Sequence, residues 1–86
     1  MLGADHLDTI SSLDNLAISI NNQERYQEAE ALYQQALEGR KRVLGADHPD
    51  TGNAMYNLAE CIEKQGQRSK EARALFMSAA DIYSHV

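Results

Sequence analysis

The sequence predicts an all-α protein, an α-solenoid in which two helix-turn-helix hairpins, four main helices in all, stand side by side. Three observations predict it. The phrase LGADHLDT at residues 2–9 returns as LGADHPDT at 44–51. Apolar residues recur at the spacing of one helix face rather than alternating as in a strand. The composition favours helix, with Ala, Leu, Glu, Gln, Lys and Arg common, a single proline and no tryptophan.

The repeat extends well beyond the quoted phrase. At a shift of 42, residues 2–6, Asp8 and Thr9 fall on their identical counterparts at 44–48, 50 and 51; NLA at 15–17 falls on NLA at 57–59, Ile20 on Ile62 and Gln23 on Gln65. Further on the shift becomes 43, so that Glu28, Ala29, Ala31, Leu32 and Ala36 match Glu71, Ala72, Ala74, Leu75 and Ala79. One residue has entered near GQRSK at 66–70, and loops absorb such insertions. The units are 2–43 and 44–86, one continuous repeat domain. A fixed period of this size is the signature of stacked supersecondary units.

In the first unit Leu13, Leu16, Ala17 and Ile20 share about 100° of helical arc, as do Met55, Leu58, Ala59 and Ile62 in the second. Polar turns follow at NNQER, 21–25, and KQGQRSK, 64–70. A second helix then carries Ala29, Leu32, Tyr33, Ala36, Val43 and Leu44 on one stripe, with Glu30, Gln34, Glu38 and Lys41 opposite. Its counterpart carries Ala72, Leu75, Phe76 and Ala79. Small alanines stand where paired helices must approach closely.

The repeated phrase is the joint between hairpins. Gly45 suits the left-handed position after a helix. Pro49 suits the first helical turn, where its missing N–H costs nothing. His48, before the proline, is biased out of the α region and marks the boundary. Asp50 places a negative charge near the positive end of the helix dipole.

The totals exclude several functions. A net charge of −5, from 8 Lys and Arg against 13 Asp and Glu, lacks the basic footprint of a nucleic-acid binder. It also disfavours anionic membrane surfaces. No apolar run approaches the ~20 residues of a membrane span, and the N-terminus has no signal-peptide pattern. The single cysteine, Cys61, permits no internal disulfide. Cytoplasmic residence is the default expectation.

These stripes of large and small residues resemble the tetratricopeptide repeat. Its pattern can be laid on Leu13, Leu16, Ala17, Ile20, Ala29, Tyr33 and Ala36, and again on Met55, Leu58, Ala59, Ile62, Ala72, Phe76 and Ala79. The long period, the LG-x-DHPDT joint and the run AEALYQQAL resemble the kinesin-light-chain type of that repeat. This type also occurs in multidomain scaffold proteins and in nucleotide-binding sensor proteins. Three departures stand out: Gly39 inside the second helix, where glycine costs about 1 kcal/mol relative to alanine and is expected to soften or bend it; Leu7 in place of Pro49; and the inserted residue near Arg68. The chain opens on a joint that normally follows a helix and carries no recognisable cap, so it is expected to be a piece excised from a longer array, with Met1 added at its start.

The resemblance implies that the helix face opposite the core stripe lines a groove for an extended or helical peptide. That face holds Ser11, Asp14, Asn15, Ile18 and Asn22 in the first unit, and Asn53, Tyr56, Asn57, Glu60 and Lys64 in the second. Asn15 and Asn57 are equivalent, and an asparagine can both donate to and accept from a peptide backbone without reading its sequence. Ile18 is an apolar spot on a polar face. The competing view is a solvated face with one stray isoleucine.

Other candidates are weaker. His6 and His48 sit in Asp-His-x-Asp phrases already explained by capping, short of the ligand set a metal needs. Cys61 has no neighbouring base and is expected to be an inert, half-buried thiol. GRKR at 39–42 is a basic cluster expected on the solvated outer face of its helix. Tyr26, Tyr33, Tyr56, Phe76 and Tyr83 are spaced as core or groove residues, not as a base-stacking platform. No phosphate loop or nucleophile–base pair is present. No enzyme activity and no cofactor are expected. The first expectation is a scaffold module that binds a peptide segment of a protein partner. The alternatives are an oligomerisation element that self-associates through its open ends and a regulatory array of a larger nucleotide-binding sensor.

Overall fold

A computed structural model describes residues 7–66 and 68–84 of the chain. It contains four helices in the expected order: α1 (Leu7–Asn22), α2 (Tyr26–Leu44), α3 (Pro49–Lys64) and α4 (Ser69–Ser84). The first copy of the repeated phrase up to His6 lies outside the described residues. Packing runs from α1 to α2, α2 to α3 and α3 to α4. The result is an open-ended row of 36 × 30 × 14 Å. A thickness of 14 Å accommodates two staggered helix layers, since packed axes lie about 8–10 Å apart.

The core follows the predicted stripes where a helix has neighbours on both sides. Met55, Leu58, Ala59 and Ile62 of α3 are all buried, together with Ala54 and Cys61. Ala17, Ala29, Ala36, Ala72 and Ala79 are buried too, and their small side chains let the backbones close up. Leu13, Ile20, Leu32, Leu75 and Phe76 are half-buried. Two expectations fail. Leu16 is 51% exposed although its equivalent Leu58 is 2% exposed, and Val43 is 42% exposed near the end of α2. For Leu16 the cause is position in the row. Helix α3 lies between α2 and α4, whereas α1 makes its extensive contact with α2 among the described residues.

Gly39 neither ends nor interrupts α2, which runs unbroken to Leu44, and Gly39 is buried in it. Its neighbour Arg40 is drawn inward as well, so only Lys41 and Arg42 of the GRKR cluster lie on the solvated face. A different glycine makes the close approach. A Cβ added to Gly52 of α3 would sit 3.3 Å from both Ile82 Cγ2 and Tyr83 Cε1 of α4.

The joint is built as expected, with two further bonds. Gly45 takes φ +97°, a region costly to residues with a Cβ, and its N–H donates to Lys41 O at 3.1 Å. His48 is extended and Pro49 begins α3. The His48 side chain is itself the helix cap, with Nδ1 accepting from the Asp50 N–H at 3.0 Å. Thr51, wholly buried, donates its hydroxyl to Gly45 O at 2.7 Å. The Thr51 bond ties the end of one hairpin to the start of the next.

Candidate peptide-binding face

On α1, Ser11, Asn15, Ile18 and Asn22 are exposed; on α3, Asn53, Tyr56, Glu60 and Lys64 are exposed and Asn57 is half-buried. Residues 11, 14, 15, 18 and 22 of α1 correspond to 53, 56, 57, 60 and 64 of α3 at the shift of 42. The repeat therefore turns the two sets toward the same side of the row. The face is polar, with two large apolar groups, Ile18 at 43% and Tyr56 at 45% exposure. Neither Asn15 nor Asn57 has a side-chain hydrogen bond within the described residues, so each amide keeps its donors and acceptor free.

Several of the ten residues are engaged inside their own hairpin. Asp14 is withdrawn from solvent and ion-paired to Arg40 of α2, each side chain only 14% exposed. Its carboxylate braces α1 on α2 rather than standing open. In the second hairpin the brace is aromatic. Tyr56 meets Phe76 edge-on, with ring centroids 5.2 Å apart at 67°. Tyr83 donates its hydroxyl to Asn53 Oδ1. Between the hairpins, Lys64 of α3 lies over the Tyr26 ring of α2, 6.0 Å from its centroid. Position 56 is the equivalent of 14 at the shift of 42, and 83 is the equivalent of 40 at the shift of 43. An acid and a base in one unit are thus replaced by two tyrosines in the other. Each tyrosine has its own partner across the second hairpin, Phe76 for Tyr56 and Asn53 for Tyr83.

A polar latch joins the units beside the face. Arg68, at the start of α4, is ion-paired to Glu30 of α2 and donates to Glu71 Oε2 at 3.1 Å. Gln65 Nε2 donates to the same Glu30 oxygen at 2.7 Å. The hydrogen bond from Arg68 holds the Glu30 carboxyl below its ordinary value. Burial pushes the Tyr33 phenol up to about 12, helped by the nearby carboxylates of Asp14 and Glu60. Burial also raises the Cys61 thiol, which donates to Tyr26 O at 3.1 Å. A protonated, buried sulfur behaves as a small core residue, not as a nucleophile. His48 holds its Nδ1 on a backbone N–H, and no group of three or more His, Cys, Asp or Glu that could hold a metal occurs among the described residues. None of the described helices is long and apolar enough to cross a membrane.

A family model described as the tetratricopeptide repeat matches residues 8–85. The chain belongs to the tetratricopeptide repeat family. The match and the helix order agree: an all-α row of helical hairpins. Tetratricopeptide repeats generally mediate protein–protein interaction and are typically non-enzymatic scaffolds. No curated protein matches the chain. Within a tetratricopeptide unit, helices α1 and α3 are the first of each pair, and they carry the candidate face.

Proposed function

We propose that this tetratricopeptide domain is a scaffold module that holds a peptide segment of a protein partner across the exposed faces of α1 and α3. The observation that carries it is the pair Asn15 and Asn57, repeat-equivalent and free of side-chain hydrogen bonds among the described residues. Two such amides on neighbouring units can each donate to and accept from an extended backbone. Ile18 and Tyr56 supply apolar contacts for the peptide's side chains. The face is open rather than a cavity, which suits a segment laid along it. Asp14 and Asn53 act by holding the hairpins rigid, since each is bonded within its own pair of helices. Rigidity lowers the ordering cost of capture.

The test is selection of binders from a displayed random-peptide library on the intact chain, followed by calorimetric titration of a recovered peptide. The N15A/N57A variant is expected to lose about tenfold or more in affinity, two backbone-directed hydrogen bonds contributing about 0.5–1.5 kcal/mol each. Equal affinity of the two proteins for the peptide removes these asparagines from the proposal.

A further inference from the structure

Beneath the candidate face, between α1 and α3, lies Tyr33 of α2. It is 5% exposed, and its hydroxyl has no hydrogen-bond partner among the described residues. A buried hydroxyl is nearly always bonded, because leaving water without gaining a partner is costly. The carboxylates of Asp14 on α1 and Glu60 on α3 both act on this phenol, so its polar end lies between those two helices. Asp14 is paired to Arg40 through Oδ2, while its Oδ1 is buried and unpartnered among the described residues. Glu60 is exposed and has no ion-pair partner among them. Three helices thus bring acceptor oxygens to one place, and no donor meets them. The neighbouring cations are committed elsewhere: Arg40 is held by Asp14, and Lys64, one turn beyond Glu60, lies over the Tyr26 ring.

The walls of this place differ. Ile18 and Glu60 are repeat equivalents, at the same height on neighbouring first helices. Ile18 stands one turn along α1 from Asp14 and is 43% exposed. A side chain entering between them meets an apolar surface on one side and an acid on the other. Lysine and arginine match that profile, with an aliphatic stem and a charged head that carries several N–H donors and no acceptor. We propose that the cleft between α1 and α3 above Tyr33 is a subsite for a lysine or arginine side chain of the bound peptide. Ile18 lies along the stem. Glu60 pairs with the head, and the Tyr33 hydroxyl and Asp14 Oδ1 are its inner acceptors. The subsite rests on the peptide-holding reading above and adds to it the charge of the residue that is held.

The same displayed random-peptide library, panned on the intact chain, supplies the probes. Recovered peptides are titrated by calorimetry against the natural chain, E60Q, Y33F and N15A/N57A, each checked for unchanged helix content by circular dichroism. Each peptide is also made with its basic residue replaced by norleucine, which keeps an aliphatic stem and removes the charged head. The recovered peptides are expected to share a lysine or arginine. Norleucine is expected to lower affinity about tenfold on the natural chain and less than about twofold on E60Q, the signature of a direct pair. Y33F is expected to weaken the basic peptide about threefold and to leave the norleucine peptide unchanged. High salt is expected to shrink the advantage of the basic residue. The subsite is overturned if the peptides share no basic residue, if norleucine costs as much on E60Q as on the natural chain, or if Y33F binds the basic peptide as tightly as the natural chain does. Those results, obtained with peptides that still need Asn15 and Asn57, leave the peptide-holding reading standing. Peptides that ignore N15A/N57A but keep the coupling to Glu60 remove the asparagines and support the subsite. Recovery of no peptide overturns both.

Discussion

Leu16 and Leu58 occupy the same place in the two units, yet one stands 51% exposed and the other 2% exposed. Truncating each to alanine therefore measures what a neighbouring helix contributes. Leu58→Ala opens a cavity between α2, α3 and α4 and is expected to cost about 3 kcal/mol, within the ~2–5 kcal/mol range for buried leucines. Leu16→Ala removes a side chain that already lies half in water and leaves no enclosed void, so about 1 kcal/mol or less is expected. A chain of this size has roughly 4–13 kcal/mol of stability in all. The first change thus removes a large share and the second a small one. At about 4–8 °C per kcal/mol for a domain of this length, the expected falls in Tm are about 12–24 °C and at most ~8 °C. Urea unfolding followed by far-UV circular dichroism reads the difference, with unchanged slopes showing that the denatured states are comparable. Equal costs at the two positions would refute the open-row explanation of the Leu16 exposure. It would mean that α1 has a covering neighbour equivalent to α2.

Four further outcomes are expected. The Glu30 carboxyl is held low by Arg68, so its contribution to stability is present above the unfolded value of 4.5 and is lost as pH falls through the lower folded value. Glu30→Gln is expected to flatten that part of the acid limb, visible as a smaller drop in Tm between neutral and strongly acidic buffer. At the joint, Gly45→Ala forces a side chain into φ +97° and is expected to cost about 1 kcal/mol, although an added Cβ meets nothing within 4 Å. Thr51→Val keeps the shape but leaves Gly45 O without its hydroxyl donor, a loss of about 1–2 kcal/mol by the same unfolding assay. Cys61 is expected to stay unreactive toward a thiol reagent in the folded chain and to react fully in denaturant, since its sulfur is buried and protonated.

The helices, their pairing into hairpins and the joint were legible in the sequence because each rests on short-range information. A face such as Met55, Leu58, Ala59 and Ile62 needs only the helix period. Gly45, His48, Pro49 and Asp50 act within one or two turns of chain. The candidate face was legible to the same extent: Asn15, Ile18 and Tyr56 are exposed as their helical positions require. Asp14 was misplaced because its partner, Arg40, lies on another helix and leaves no periodic trace. Arg40 was assigned to an outer basic cluster for the same reason.

Periodicity and caps by themselves determined which residues form helices, where those helices begin and end, and which stripe of each is apolar. Only the tertiary structure decided which members of a stripe are covered. Leu16 and Leu58 are identical residues in identical local phrases, and burial depends on whether another helix stands beside them. The same holds for the arginines that open α2 and α4. Arg25 and Arg68 each bond the equivalent glutamine and glutamate of their own turns, but Arg25 turns a second nitrogen to Glu28 where Arg68 gives it to Glu30, because a charge pair across helices exists only where the row brings its two halves together.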